Sequence, residues 1–254
     1  MSSTVKSLLI WIGVVILIFI WLPLLAVSRF FDRDPARYRT GKLFRKLGKY
    51  ISKINPNWQI KITGYENIDD RRPYVMVCNH LSQADIPLIS NLPWEMKWVA
   101  KKELFETPVV GWMMTLAGDI SVDRRASNRR EQTFKQATHY LNNNCSVMFF
   151  PEGTRSRDGN LNRFKAGAFD LAIKEQKPIL PMVIDGTQNT LPKRSWKFGV
   201  AKQIKLKILD PIPTEGLDRS DIRSLTKEVR QAILDQLSEW RNENPEQIDN
   251  LVKS

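Results

Sequence analysis

Three hydrophobic patterns follow one another along the chain. From Leu8 to Val27 the sequence reads LLIWIGVVILIFIWLPLLAV, twenty residues without a charge, an Asn or a Gln. As a helix rising 1.5 Å per residue it would be about 30 Å long, roughly the thickness of a bilayer's hydrocarbon core. A secretory signal would have a shorter apolar region, about 7–15 residues, followed by a small-residue cleavage site. This run leads instead into Ser28-Arg29-Phe30-Phe31. Either a spanning or a re-entrant geometry fits, because Pro23 can kink the helix and Lys6 is the one charge before it.

The second pattern predicts an amphipathic helix capped by Asp34, with Pro35 at its first position. Leu43, Leu47, Tyr50, Ile51 and Ile54 follow a 3.6-residue period, and Arg39, Lys42, Arg45, Lys46 and Lys49 occupy the other positions. Such a basic helix beside an apolar one is expected to lie on an anionic membrane surface. The third pattern starts near residue 58, where short apolar runs alternate with helical ones. Strands are predicted at Trp58–Thr63, Tyr74–Cys78, Lys97–Ala100, Ile120–Val122, Val147–Phe150, Ile179–Ile184 and Ile204–Leu209. Helices are predicted over Asn128–Leu141 and Phe164–Ile173, and through Ile222, Leu225, Val229, Ile233, Leu237 and Trp240 with Ser220 or Asp221 as cap. The last dozen residues are polar and are expected to fray. The alternation specifies an α/β layered domain over 58–254, preceded by membrane-anchoring helices in 1–57.

Charge strengthens the membrane reading. The 254-residue chain carries a formal net charge of +12, which calls for an acidic partner: nucleic acid, membrane or anionic substrate. The excess is concentrated between Arg29 and Lys53, where nine basic residues face Asp32 and Asp34. If the apolar run spans, the basic flank places the remainder of the chain on the cytoplasmic side. The two cysteines, Cys78 and Cys145, both lie in apolar runs, which argues against a disulfide framework. With two histidines and no Cys-x-x-Cys, a zinc site is not expected.

Four segments carry chemistry. Asn79-His80-Leu81-Ser82-Gln83-Ala84-Asp85 leaves an apolar strand. On one continuous helix His80 and Asp85 would point to different faces. They meet only if His80 precedes the helix and Asp85 sits in its first turn. Ser82 and Asp85 have capping-box spacing, so Asp85 also reads as a simple cap. Phe149-Phe150-Pro151-Glu152-Gly153-Thr154-Arg155-Ser156 runs from a strand into a turn that can aim N–H groups, a hydroxyl and a guanidinium at one anion. Lys101, in Ala100-Lys101-Lys102-Glu103-Leu104, and Arg124, in Gly118-Asp119-Ile120-Ser121-Val122-Asp123-Arg124, each put a cation at a strand end, where open α/β sheets bind ligands.

Taken in order, NHLSQAD, GDISVDR, FPEGTRS and the ILPMVI run resemble the four motifs of the glycerolipid acyltransferases, and among them the bacterial 1-acyl-sn-glycerol-3-phosphate acyltransferases most. The resemblance covers about residues 60–215. It departs at Ser121, where an aromatic is common, while the cation Arg124 is kept. It implies a mixed sheet flanked by helices, and transfer of a fatty acyl group from acyl-CoA or acyl carrier protein to the sn-2 hydroxyl of lysophosphatidic acid, giving phosphatidic acid. His80 is then the general base, and histidine suits proton transfer near neutral pH. Asp85 fixes its tautomer. Neither a covalent acyl-enzyme nor a metal or other cofactor is required.

The resemblance assigns Lys101, Arg124, Glu152, Gly153, Thr154 and Arg155 to the acceptor site, the basic members facing the phosphate. Glu152 would repel a phosphate, so it orients Arg155 or accepts a hydrogen bond from a glycerol hydroxyl. Pro181 and its apolar neighbours would shape the acyl pocket. The expected location is the bacterial inner membrane, with the catalytic domain on the cytoplasmic face. Competing readings are another acceptor (glycerol 3-phosphate, a lysophospholipid or a lyso-aminolipid), a covalent nucleophile at Cys78 or Ser82, and a non-enzymatic lipid- or nucleic-acid-binding protein.

Overall fold

A computed structural model describes residues 3–56, 58–66, 68–69, 71–191, 195–199 and 203–252. Each of the seven apolar runs forms a strand: β1 Gln59–Thr63, β2 Val75–Cys78, β3 Met96–Lys101, β4 Ile120–Val122, β5 Ser146–Phe149, β6 Ile179–Asp185 and β7 Gln203–Ile208. The helices are α1 Ser3–Phe31, α2 Tyr38–Ile54, α3 Asp85–Ile89, α4 Lys102–Phe105, α5 Val110–Ala117, α6 Arg129–Asn142, α7 Gly167–Lys174, α8 Ile222–Arg241 and α9 Pro245–Ile248. Two compact units result. The first comprises residues 1–56, 69–73 and 86–148; the second comprises 57–68, 74–85 and 149–254.

In the second unit β1 pairs parallel to β7, β7 antiparallel to β6, and β6 parallel to β2. The sheet is therefore mixed. All four residues of β2 are buried, as are Ile179 to Ile184 of β6, so both strands read as unbroken apolar runs. In β7 Ile204, Leu206 and Ile208 are buried while the intervening Lys205 and Lys207 are not, the alternation of a strand covered on one face. In the first unit β3 pairs parallel with both β4 and β5.

Helix α1 is long and apolar enough to cross a membrane. One stripe packs on α2 and α5, through Leu17, Ile18, Trp21, Leu22 and Leu25 against Leu43, Phe44, Leu47, Ile51 and Met113. The opposite stripe is exposed and contains Leu8, Leu9, Ile12, Ile16, Phe19, Ile20 and Val27. The two helices run antiparallel. Ser28 Oγ lies 3.3 Å from Thr40 Oγ1, Trp21 Nε1 donates to Leu43 O at 2.8 Å, and Gly13 faces Ile54.

Three expectations are corrected. Helix α2 starts at Tyr38, not at Pro35, because Asp34 closes a turn instead: Ala36 N donates to its side chain and Arg37 N to its carbonyl. Asp32 does the capping, accepting from Thr40 N at 2.8 Å and Thr40 Oγ1 at 2.6 Å. Burial opposes its charge, but those bonds prevail and hold the carboxyl below its ordinary range.

Arg45 does not face outward. It is buried, with Nη2 2.7 and 2.8 Å from the Asp119 oxygens and Nε 3.5 Å from Glu95. Lys97 donates to Glu95 at 2.9 Å and to Ala117 O at 2.8 Å. Gly41 and Gly48, on the same face as Arg45, allow this close approach. A Cβ at Gly41 would fall 2.0 Å from Glu95 Oε1, and one at Gly48 2.5 Å from Ser90 Oγ.

Among the described C-terminal residues, 244–250 pack instead of fraying: Asn244 caps α9, and Ile248 is fully buried; residues 253–254 lie outside the described residues. Asp221 is the N-cap residue of α8, as expected, and the short 3-10 turn Arg219–Asp221 that leads into the helix is itself closed by Asp218, whose carboxylate accepts from Ser220 N in a capping box with Asp221.

Candidate active site

Strand β2 ends at Cys78, and the next two residues are held there by side-chain and backbone bonds. Asn79 extends the ladder with its side chain: Nδ2 donates to Ile184 O and Oδ1 accepts from Ile184 N, both at 2.8 Å. His80 is gripped on both sides of its backbone. Its N–H donates to Glu152 Oε1 at 2.7 Å, and its carbonyl accepts from Ser156 N at 2.8 Å. Its ring stacks on Phe150 at 3.9 Å between centroids, and the side chain stays 17% exposed.

His80 Nδ1 lies 2.7 Å from Asp85 Oδ2. Asp85 is wholly buried at the start of α3. The same Oδ2 accepts from Leu81 N at 2.7 Å and Ser82 N at 3.0 Å, while Oδ1 accepts from Thr187 Oγ1 at 2.5 Å. The cap and the histidine partner are thus one carboxylate. A carboxylate filled by donors makes Nδ1 the proton-bearing nitrogen and leaves Nε2 as an acceptor.

Glu152 is buried as deeply as a core residue, yet every bond it makes is as an acceptor. Besides His80 N, it takes Asn162 Nδ2 at 2.6 Å and Asn162 N at 3.2 Å. Burial pushes its carboxyl up to about 7, against the opposing pull of the His80 and Asn162 bonds. The next turn depends on Gly153, at φ +70°. A Cβ there would also meet Lys165 Nζ at 2.6 Å. Thr154 is exposed and Arg155 half-buried beyond it.

His80, Asp85, Glu152, Gly153, Thr154 and Arg155 therefore belong to one unit. Lys101, at the end of β3, and Arg124, just after β4, are exposed residues of the other unit. Pro181 is buried inside β6 opposite Val77, not at the strand end where His80 stands. Cys78 is buried, and its thiol is pushed well up by that burial and by the nearby Asp85 and Glu152 carboxylates. The Ser82 hydroxyl donates to Leu191 O and accepts from Ala84 N. Neither side chain is prepared as a nucleophile.

Four site residues carry no role in the sequence reading: Asn79, Thr187, Asn162 and Lys165. Asn79 and Lys165 sit inside or shortly after the motifs and could have been flagged. Thr187 and Asn162 have no local signal, because their partners are 102 and 10 residues away.

Residues 59–185 match the model of the acyltransferase family. The chain is 33% identical over 205 residues to the chloroplastic 1-acyl-sn-glycerol-3-phosphate acyltransferase LPAT1 of Arabidopsis thaliana, covering 80% of this chain and 56% of that one. It is 34% identical over 178 residues to 1-acyl-sn-glycerol-3-phosphate acyltransferase alpha of Homo sapiens, covering 69% and 62%. It thus spans less than two thirds of either relative. The crystal structure of the 1-acyl-sn-glycerophosphate acyltransferase from Thermotoga maritima superposes with a TM-score of 0.78 at 28% identity, covering 94% of this chain and 98% of that one. The shared motifs, the mixed sheet and the histidine at the end of β2 agree with these matches, and the chain belongs to the acyltransferase family.

Proposed function

We propose that the protein transfers a fatty acyl group from a thioester, acyl-CoA or acyl carrier protein, to the sn-2 hydroxyl of 1-acyl-sn-glycerol 3-phosphate. The observation that carries this reading is the His80–Asp85 pair, with Nδ1 bonded at 2.7 Å and the ring partly open to solvent. Nε2 takes the proton of the acceptor hydroxyl as its oxygen attacks the thioester carbonyl carbon. The tetrahedral intermediate collapses, the C–S bond breaks, and the thiolate leaves with the proton that His80 returns. Asp85 stabilises the imidazolium between the two transfers. The names of the relatives support the acceptor.

Arg155 and Lys165, beside the Gly153 turn, supply the charge that a phosphate requires. Glu152 holds the backbone of His80 in place through its Oε1.

The exposed apolar stripe of α1 fits contact with lipid. Because α2 runs back along α1, any depth reached by the first half of α1 is shared by Lys49 and Lys53. At the bilayer centre each would cost about 2.5–3.5 kcal/mol. The helix pair therefore enters one leaflet without crossing, on the side where the thioester is made.

The test is one labelled acyl thioester offered with lysophosphatidic acid, glycerol 3-phosphate, lysophosphatidylcholine and monoacylglycerol. Preference for lysophosphatidic acid is expected. Preference for another acceptor would reassign the substrate, and no transfer to any acceptor would overturn the reading.

A further inference from the structure

Helix α8 and the segment that follows it, well downstream of the motifs, converge on them. Arg230, in the middle of α8, is 7% exposed and uses all three of its nitrogens. Nη1 and Nη2 donate to Asp249 at 2.8 and 2.6 Å, a forked pair. Nη2 also donates to Leu161 O at 2.9 Å, and Nε to Asn162 O at 3.2 Å. The C-terminal segment reinforces the same two residues. Leu161 N donates to Ile248 O at 2.8 Å, Asn250 N to Leu161 O at 3.1 Å, and Asn250 Nδ2 to Asn162 Oδ1 at 3.0 Å.

Asn162 is therefore fixed at both carbonyls, the side chain's and the backbone's. Its own two N–H donors go to Glu152 Oε2, and Glu152 Oε1 holds the amide of His80. An unbroken series of bonds leads from a buried ion pair at the C-terminus to the backbone of the histidine. None of its outer members touches the ring. A buried arginine with a forked carboxylate is costly to desolvate, and simple packing could be had from apolar residues of similar volume. What the pair provides here is direction: a planar fork that accepts only one placement of the Leu161–Asn162 backbone.

We propose that Arg230 and Asp249 are positioning residues for His80, acting through Asn162 and Glu152. The proposal rests on the reading of His80 as the general base. A displacement of about 1 Å at a reacting group can cost on the order of 10²-fold in rate. Loosening this series should therefore lower kcat while leaving acceptor binding nearly unchanged.

The experiment uses the full chain with Arg230→Met, Asn162→Ala and the double substitution. Turnover of lysophosphatidic acid is measured alongside hydrogen exchange at the peptide carrying the His80 amide. Each single substitution should lower kcat about 10- to 100-fold, with KM for lysophosphatidic acid within about threefold. The double variant should be little slower than the worse single one, because both break the same series. Exchange at His80 should quicken in all three. A folded Arg230→Met enzyme with kcat within about twofold of wild type, or a double variant whose losses multiply, would overturn the proposal. Should Arg230→Met not fold, Asp249→Asn keeps the shape and removes the charge. A severalfold fall in kcat at unchanged KM supports the proposal there, and wild-type kcat refutes it. If the wild-type chain transfers no acyl group at all, the functional reading fails. The network is then decided by exchange alone, and unchanged protection at His80 would refute it.

Discussion

Replacing the Glu152 carboxyl by an amide, as Glu152→Gln, should change how stability responds to pH, by an amount the structure sets. Burial raises this carboxyl from 4.5 to about 7 in the folded chain. Between those values this carboxyl binds a proton in the folded protein but not in the unfolded one, so the stability it contributes is fullest below pH 4.5 and is lost as pH rises through 7. A shift of that size corresponds to about 3 kcal/mol. The glutamine side chain cannot titrate, so the variant loses this dependence. It keeps an oxygen for the His80 amide but turns its own N–H₂ toward both Asn162 N and Asn162 Nδ2, leaving buried donors facing one another at a cost of about 1–3 kcal/mol. The variant should therefore be clearly less stable than wild type near pH 5 and close to it near pH 8. Urea unfolding of both proteins in the same detergent across that range provides the measurement. Groups common to both cancel in the difference. A stability difference that does not change between pH 5 and 8 would refute the reasoning about Glu152.

Thr187→Val removes the hydroxyl that donates to Asp85 Oδ1 and leaves that buried oxygen unmet, at about 1–3 kcal/mol; kcat should fall roughly tenfold with little change in KM, and an unchanged kcat would remove Thr187 from the site. Arg45→Met leaves Asp119 buried without its forked arginine, while Glu95 keeps Lys97, and a loss of about 3–5 kcal/mol in unfolding free energy is expected; a loss below about 1 kcal/mol would mean the Arg45–Asp119 pair is not buried in solution. Cys78→Ala should keep most activity, and mass spectrometry should find no acyl adduct on the wild-type protein incubated with donor alone; an adduct on Cys78 or Ser82 that is consumed on adding acceptor would replace direct transfer with a covalent route.

The sequence was most informative where a pattern was local. Seven apolar runs became seven strands because each run is as long as the strand it forms, and the buried ones are apolar on both faces. Helix α2 was half legible. Its apolar face toward α1 has a clear period, but its second buried face consists of Tyr38, Gly41, Arg45, Gly48 and Ser52. Small and polar residues give no hydrophobic signal, and Arg45 reads as solvated until Asp119 is brought to it by the fold. The site divides in the same way. His80 and Asp85 are five residues apart, so a turn followed by a helix start is enough to join them. The resemblance placed Glu152 in the acceptor site, and the bonds it makes in the fold, to the His80 amide and to Asn162, could not be read from its motif because Asn162 carries no local signal. The C-terminal residues looked too polar to pack, but their polar groups are the partners of Arg230 and the Leu161–Asn162 backbone.

The central claim is that His80 carries the proton of the acceptor hydroxyl. It is tested most directly by the turnover of His80→Ala with lysophosphatidic acid and a labelled acyl thioester at saturating concentrations, in the full chain with folding checked by thermal unfolding. General-base catalysis is worth about 10²–10⁴-fold, and a loss of that size in kcat at near wild-type stability is the predicted result. A folded His80→Ala protein turning over within a fewfold of wild type would contradict the account.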